Sequence, residues 1–142
     1  MPSDAFLQAM NAIHRALLAV TRGRVGWWVA RMPILELTAM GRRSGKRRAT
    51  MLSSPLQRGD AYLVVASRGG DDRHPAWYLN LLEDPDVEVT TQHGTRRMRA
   101  RVVGSEERSE LWPQVTKDHP NYAGYQRRTD REIPLIWLEP LP

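Results

Sequence analysis

Five cations stand within the eight residues Gly41-Arg42-Arg43-Ser44-Gly45-Lys46-Arg47-Arg48, and that density is the first chemistry the sequence offers. Two glycines let the backbone turn tightly and present its amides, and Arg side chains supply bidentate forks, so this segment could hold a phosphate or a carboxylate. The same residues could equally make a solvated basic hairpin. The glycine spacing and the Lys-Ser/Thr pair of a P-loop are absent. A second group, Ala66-Ser67-Arg68-Gly69-Gly70, follows an apolar run, where a hydroxyl and backbone amides at a strand end could meet a flat ligand. In Pro75-Ala76-Trp77-Tyr78-Leu79-Asn80, Trp77 and Tyr78 face different sides of a short helix, so that one joins the core and the other could flank a planar ring. Tyr122 and Tyr125 stand three apart and share a face if that stretch is helical. A phenol there could donate a proton to a substrate or simply end the core with its hydroxyl in water.

Other chemistries are excluded by what is missing. The sequence contains no cysteine, which rules out disulfides, thiolate nucleophiles and Cys-ligated zinc or iron–sulfur centres. Its histidines, His14, His74, His93 and His119, have no paired spacing, so no His-based metal site is expected. No Gly-x-Ser-x-Gly elbow supports a serine hydrolase.

The elements that must position these groups follow from periodicity. Phe6, Leu7, Met10, Ile13, Leu17 and Leu18 recur at helical spacing over 4–20, giving an amphipathic helix behind Ser3 or Asp4. That helix could pack on the domain, or could lie on a membrane surface with Arg15, Arg22, Arg24 and Arg31 toward phosphates and Trp27 and Trp28 in the interface. From Pro33 the period becomes that of strands. Ile34 to Thr38 forms one, Arg48 to Leu56 a second that Pro55 makes an edge or a bulge, and Ala61 to Ser67 a buried third. Residues 75–82 suit a short helix ended by Asp84-Pro85. Val87 to Thr91 and Arg96 to Val103 form a hairpin through Gln92-His93-Gly94. A helix opens at Ser105 and is expected to end early at Pro113, and Pro134 to Leu138 closes the chain as a strand. This order predicts a mainly antiparallel sheet or small barrel with flanking helices, of α+β type.

At 142 residues the chain has room for one compact domain. It divides into an N-terminal amphipathic segment, 1–32, and a β domain, 33–142. Lys and Arg exceed Asp and Glu by 21 to 16. The excess is confined to the first fifty residues, so this end of the chain is suited to meet an anion. No apolar stretch is long enough to span a bilayer and no signal peptide is evident, which predicts a cytoplasmic protein.

In their joint order, these segments resemble the deazaflavin-dependent nitroreductase and quinone reductase family, whose members use reduced coenzyme F420. The marks are Leu37-Thr38 leading into Gly41-Arg42-Arg43-Ser44-Gly45, then Val65-Ala66-Ser67-Arg68-Gly69-Gly70, Pro75 through Leu81, Asp84-Pro85 and Leu111-Trp112-Pro113. Tyr125-Gln126 follows, and Thr129-Asp130-Arg131 leads to Ile133-Pro134. The resemblance implies a split β-barrel and hydride transfer from the coenzyme to an electron-poor acceptor, such as a quinone, a nitroaromatic or an activated enone. By position, it assigns Arg43 and Arg48 to the phosphate and glutamate tail of the coenzyme, with Arg68 also on the tail. Ser67 lies near the deazaflavin ring, Ala76 and Trp77 border it, and Ser44, Ala66 and Gly69 complete the coenzyme site. Tyr122 and Tyr125 border the substrate, so Ser67, Tyr122 and Tyr125 are the expected catalytic residues. Where the family usually carries Lys, Arg43 and Arg68 keep the charge. The family also has Pro where Arg47 and Met51 stand and often an aromatic where Ser53 stands.

Two rival readings remain at this level. Related split barrels bind FMN, whose ribityl phosphate a basic loop could hold as well. A nucleic-acid-binding module is suggested by the basic loop alone, and no helix-turn-helix, zinc or ribonucleoprotein motif accompanies it. Peripheral membrane contact through residues 1–31 is compatible with the main reading and would bring a lipid-soluble quinone within reach.

Overall fold

The computed structural model describes residues 32–142 and the backbone of a short strand before them, β1 (Trp28–Val29). The amphipathic helix expected over 4–20, and with it the proposed membrane contact, lies outside the described residues. The remaining elements are β2 (Met32–Met40), β3 (Arg47–Ser53), β4 (Leu56–Arg58), β5 (Ala61–Val65), a 3-10 turn (Arg68–Gly70) and α1 (Ala76–Glu83). They continue as β6 (Asp86–Thr91), β7 (Gly94–Val102), α2 (Ser105–Asp118), α3 (Asn121–Arg127) and β8 (Leu135–Pro140).

All strand pairs are antiparallel, in the order β1-β2-β6-β7-β8-β5-β4. β3 pairs with β2 on the edge opposite β6, in a register that sets Leu37 between Thr50 and Val89. The two ends of this sheet are drawn together at the β3–β4 corner. Ser54, fully buried, takes its backbone N–H to the Pro33 carbonyl of β2 at 2.9 Å, and its hydroxyl donates to the Leu63 carbonyl of β5 at 2.7 Å. One residue thereby bridges both flanks of the curved sheet. The strand expected to run from Arg48 to Leu56 is broken here into β3 and β4, because Pro55 has no N–H for a ladder and Ser54 turns its own groups to other strands.

The apolar run of β5 is explained by burial on both faces. Val64 packs inside the curved sheet with Leu35, Leu37, Val89, Met98, Ile136 and Leu138, capped by Tyr78 and Leu81 of α1. Leu63 and Val65 face the other way, into a cluster with Leu111 and Val115 of α2, Tyr122 of α3, and Leu135 and Trp137 of β8. A strand covered on both sides loses its alternation.

α2 does not stop at Pro113 but continues to Asp118. Pro113 and Ser109, whose carbonyl loses its intrahelical partner, both lie on the exposed face, where water can take that role, while Leu111 and Val115 bury the opposite face. The base of α2 is fixed by Glu107, which accepts from Arg101 at 2.7 Å and from the Trp137 indole at 3.0 Å. α3 was legible only as a pair of spaced tyrosines; in the structure it is a helix that sets Tyr122 under the sheet.

Candidate active site

The basic loop is a built hairpin. Gly41 N–H donates to the Lys46 carbonyl at 2.8 Å and Gly45 N–H to the Gly41 carbonyl at 2.9 Å. A side chain at Gly41 would put a Cβ 3.1 Å from the Lys46 carbonyl and 2.8 Å from the movable Ser44 Oγ, so glycine lets the two arms of the turn approach closely. Arg42 ties the loop to α1: its backbone N–H and its Nη1 both donate to Asn80 Oδ1, at 3.1 and 2.8 Å. Asn80 is almost fully buried. It is a positioning residue with no local signature, since nothing in a short apolar helix marks one Asn as the anchor of a loop 38 residues away.

Beneath this loop lies a cavity of about 1290 Å³. Arg43, Ser44 and Arg48 stand at its basic end, and Ser67, Arg68 and Gly69 at the end of β5. Ala76, Trp77, Leu79 and Asn80 of α1 line another wall, while Ser53 and Tyr122 form part of its depth. Five consecutive residues of β3, from Ala49 to Ser53, also line it. Consecutive lining residues mean that the cavity runs along the strand, whose second edge carries no ladder partner among the described residues. β3 thereby forms one long wall of the cavity.

The charges in this cavity fall into two groups. Arg42 is committed to Asn80, and Arg68 is held by Asp71 at 2.6 Å with both side chains about 10% exposed. Arg73 also leans on Asp71, at 3.4 Å. Asp71 is an almost buried carboxylate held below its ordinary pKa chiefly by accepting the Arg73 backbone N–H, with the nearby guanidinium charges adding to this. Arg43 and Arg48, by contrast, have no carboxylate partner among the described residues, although both reach the cavity. Arg47, their neighbour, points out of it and pairs with Glu88 of β6.

At the deep end, the Tyr122 hydroxyl lies 3.3 Å from Ser53 Oγ and 3.7 Å from Met32 Sδ. Burial raises its pKa above that of a free phenol, partly offset by the bond to Ser53. Tyr122 therefore stays protonated at neutral pH and can act as a donor. His119 and Tyr125 pack edge-on against its ring, at 6.4 and 5.9 Å between centroids.

Of the residues singled out from sequence, Arg43, Ser44, Arg48, Ser67, Arg68, Gly69, Ala76, Trp77 and Tyr122 are brought round this one cavity. Ala66 and Tyr125 are not. Ala66 is fully buried within the sheet, because the alternation that turns Ser67 outward turns its neighbour inward. Tyr125 packs behind Tyr122, with the Arg128 guanidinium 5.8 Å from its ring centre. No cluster of His, Asp or Glu among the described residues could hold a metal.

The family model for F420H(2)-dependent quinone reductase matches residues 11–140. An F420H(2)-dependent quinone reductase of Mycobacterium tuberculosis is 38% identical over 130 residues, covering 89% of this chain and 87% of its own. A solved F420-H2 dependent reductase is 39% identical, with a TM-score of 0.66, over 75% of this chain and 94% of its own. A second solved chain, described as a domain-swapped dimer, is 35% identical with a TM-score of 0.69, over 90% and 96%. A heme storage protein of Vibrio cholerae, at 19% identity and a TM-score of 0.54, shares the fold alone. The expected sheet with flanking helices agrees with these relatives. The FMN alternative drops out, because the family and its close relatives are named for the reduced deazaflavin coenzyme.

Proposed function

Because the chain belongs to the F420H(2)-dependent quinone reductase family, an oxidoreductase family that uses coenzyme F420, we propose that the cavity beneath residues 41–48 is where the reduced coenzyme meets its acceptor. The observation that carries this reading is the pair Arg43 and Arg48, two guanidinium groups without carboxylate partners among the described residues, at the end of a cavity whose other arginines are already bonded. An anionic tail fits them, since charge-assisted bonds to unpaired guanidinium groups require no existing ion pair to break. The volume also suits two molecules, because a pocket for one drug-sized ligand is roughly 300–1,000 Å³.

When bound, the reduced deazaflavin supplies the hydride. The chain supplies position. Arg43, Ser44 and Arg48 would hold the tail, with the charge of Arg68, itself held by Asp71, beside it, while Ser67, Gly69 and the β3 wall would orient the ring. Ala76 and Trp77 border the ring and exclude water. The Tyr122 hydroxyl, kept protonated by burial, donates to the acceptor oxygen that gains negative charge, and Ser53 holds that hydroxyl in line. A quinone is the acceptor class that the family name supports. Tyr125 acts only through Tyr122, as a packing partner.

Residues 33–142 form the body of the coenzyme-binding domain, but the expected boundary at 32/33 does not hold, since β1 and Met32 belong to its sheet; the residues ahead of β1 bring the site to a lipid-soluble quinone at the inner membrane face. No described helix is long and apolar enough to cross a membrane. The reading is tested by titrating the protein with coenzyme F420 and following tryptophan fluorescence. Trp77 lines the cavity, whereas Trp112 and Trp137 pack in the cluster under α2. Saturable quenching that is largely lost in Trp77→Phe, with binding retained by calorimetry, is expected. Quenching that is unchanged in that variant would put the coenzyme elsewhere.

A further inference from the structure

Arg131 does not line the cavity, yet it holds the segment that does. Its Nη2 donates to the Ser67 carbonyl at 2.8 Å, its Nη1 to the Ala66 carbonyl at 3.2 Å, and its Nε to the Asp71 carbonyl at 2.8 Å. His74 Nδ1 lies 3.2 Å from Nη1. One planar fork thus spans residues 66–74. Arg131 is itself fixed, its N–H donating to Thr129 Oγ1 at 3.3 Å and its carbonyl accepting from Gln126 Nε2 at 2.8 Å.

The segment it holds is one that would not keep its shape unaided. Arg68, Gly69 and Gly70 have φ of +46°, +64° and +86°, three left-handed residues in succession. A non-glycine residue in that region is strained, and persists only where surrounding bonds over-determine it. At Gly70 the packing is also close, since an added Cβ would stand 2.7 Å from the Tyr125 carbonyl. Among the described residues, the turn's own backbone bonds are Gly70 N–H to the Ser67 carbonyl and Asp71 N–H to the Arg68 carbonyl, while Ala66 N–H, just before it, donates to the Pro134 carbonyl. The Asp71 side chain then holds the Arg68 guanidinium. From outside, the turn is held mainly by the guanidinium of Arg131, with Arg128 Nη1 adding a longer bond to the Gly69 carbonyl at 3.4 Å.

We propose that Arg131 is a positioning residue for coenzyme binding, a clamp that imposes the left-handed turn and so aims Ser67 and Arg68 into the cavity. This rests on the reading of that cavity as the coenzyme site. A lysine cannot substitute, because one ammonium on a flexible stem does not reach three carbonyls spread over a plane. Arg108 provides a structural comparison: it bonds the Ile133 carbonyl and Gln126 from beneath the Trp112 ring and touches no cavity residue.

The test compares Arg131→Lys, Arg68→Ala, their double variant and Arg108→Lys, with Arg131→Ala as the more severe change. Amide hydrogen exchange is measured on the coenzyme-free protein, and coenzyme F420 affinity by calorimetry. In Arg131→Lys, exchange is expected to rise over 67–74 and not in the β6–β7 hairpin, and affinity to fall about tenfold. The Michaelis constant for reduced coenzyme should rise while that for the quinone holds. In the Arg68→Ala background the same change should weaken affinity by less than about threefold, since the clamp then has no guanidinium to aim. Arg108→Lys should lower Tm without altering coenzyme affinity. If folded Arg131→Lys binds the coenzyme like the wild type, or if the two effects multiply in full, the proposal is overturned. Unchanged exchange over 67–74 overturns it as well. A wild type that itself fails to bind the coenzyme overturns the site reading, an outcome visible before any variant is compared.

Discussion

Replacing Arg48 by alanine isolates the electrostatic half of the site. Arg48 follows Arg47 on β3, and strand alternation sends the two side chains to opposite faces: Arg48 to the cavity and Arg47 to Glu88. A bond from a guanidinium to an anion contributes about 1.5–3 kcal/mol, and solvent exposure at the cavity mouth favours the lower end. Coulomb's law gives the same scale, roughly 1 kcal/mol at 4 Å in water and 4 kcal/mol at an effective dielectric of 20. Arg48→Ala should therefore raise the dissociation constant for coenzyme F420 about tenfold. Because the tail is bound equally in the ground and transition states, kcat at saturating coenzyme should change little. Calorimetric titrations at low and high salt provide the assay, with Arg47→Ala as the control. The wild type should lose affinity with salt more steeply than Arg48→Ala, and Arg47→Ala should behave as wild type. An unchanged dissociation constant in Arg48→Ala, or an equal loss in Arg47→Ala, would refute the assignment of the tail to this face of β3.

The remaining predictions concern the deep end of the cavity, the corner and the clamp. Tyr122→Phe should lower kcat with quinone by about 5- to 30-fold, the loss of one hydrogen bond to a developing charge, while Tyr125→Phe should change it less than twofold; steady-state kinetics on the two variants decides, and equal effects would reject the distinction. Ser54→Ala leaves the Leu63 carbonyl without its buried donor, which costs about 1–3 kcal/mol. Thermal unfolding should show a fall in Tm of roughly 4–10 °C. His74, whose surroundings are Arg131, Tyr78 and the nearby Asp71 and Asp72, has a pKa lowered first by burial and then by the Arg131 charge. Its folded pKa lies below its unfolded one, so its contribution to stability is complete above about pH 6.5 and is lost as the pH falls from there toward the folded value. Tm should decline over that interval in the wild type and decline less in His74→Gln, and identical pH profiles would exclude His74 as the cause.

Much of this site was legible because its residues announce themselves locally. Gly41 and Gly45 mark a turn, Arg43 and Arg48 mark a charge, and the apolar run before Ser67 marks a strand buried on both faces. The elements that hold these residues were less visible, since each depends on a partner distant in sequence. Asn80 reads as one polar residue in a short helix until Arg42 is seen against it. Arg131 reads as one of nineteen arginines until three carbonyls converge on its fork. Asp71 follows a double glycine like any loop carboxylate, and only the fold buries it against Arg68. Pro113 misled for a different reason: an exposed helix face tolerates the missing bond, and exposure is a tertiary property. Tyr125 was grouped with Tyr122 by spacing and by the family resemblance, neither of which decides which ring reaches the cavity.

In the function proposed, hydride passes from reduced coenzyme F420 to a quinone within the cavity lined by Arg48, Trp77 and Tyr122. A single-turnover experiment tests it most directly: enzyme preloaded with reduced coenzyme is mixed with a soluble naphthoquinone, and the visible absorbance of the oxidised coenzyme is followed. One oxidised coenzyme per quinone consumed is expected, at a rate set by quinone concentration and depressed in Tyr122→Phe. Coenzyme that stays reduced in the presence of quinone, or a rate indifferent to enzyme, would contradict it.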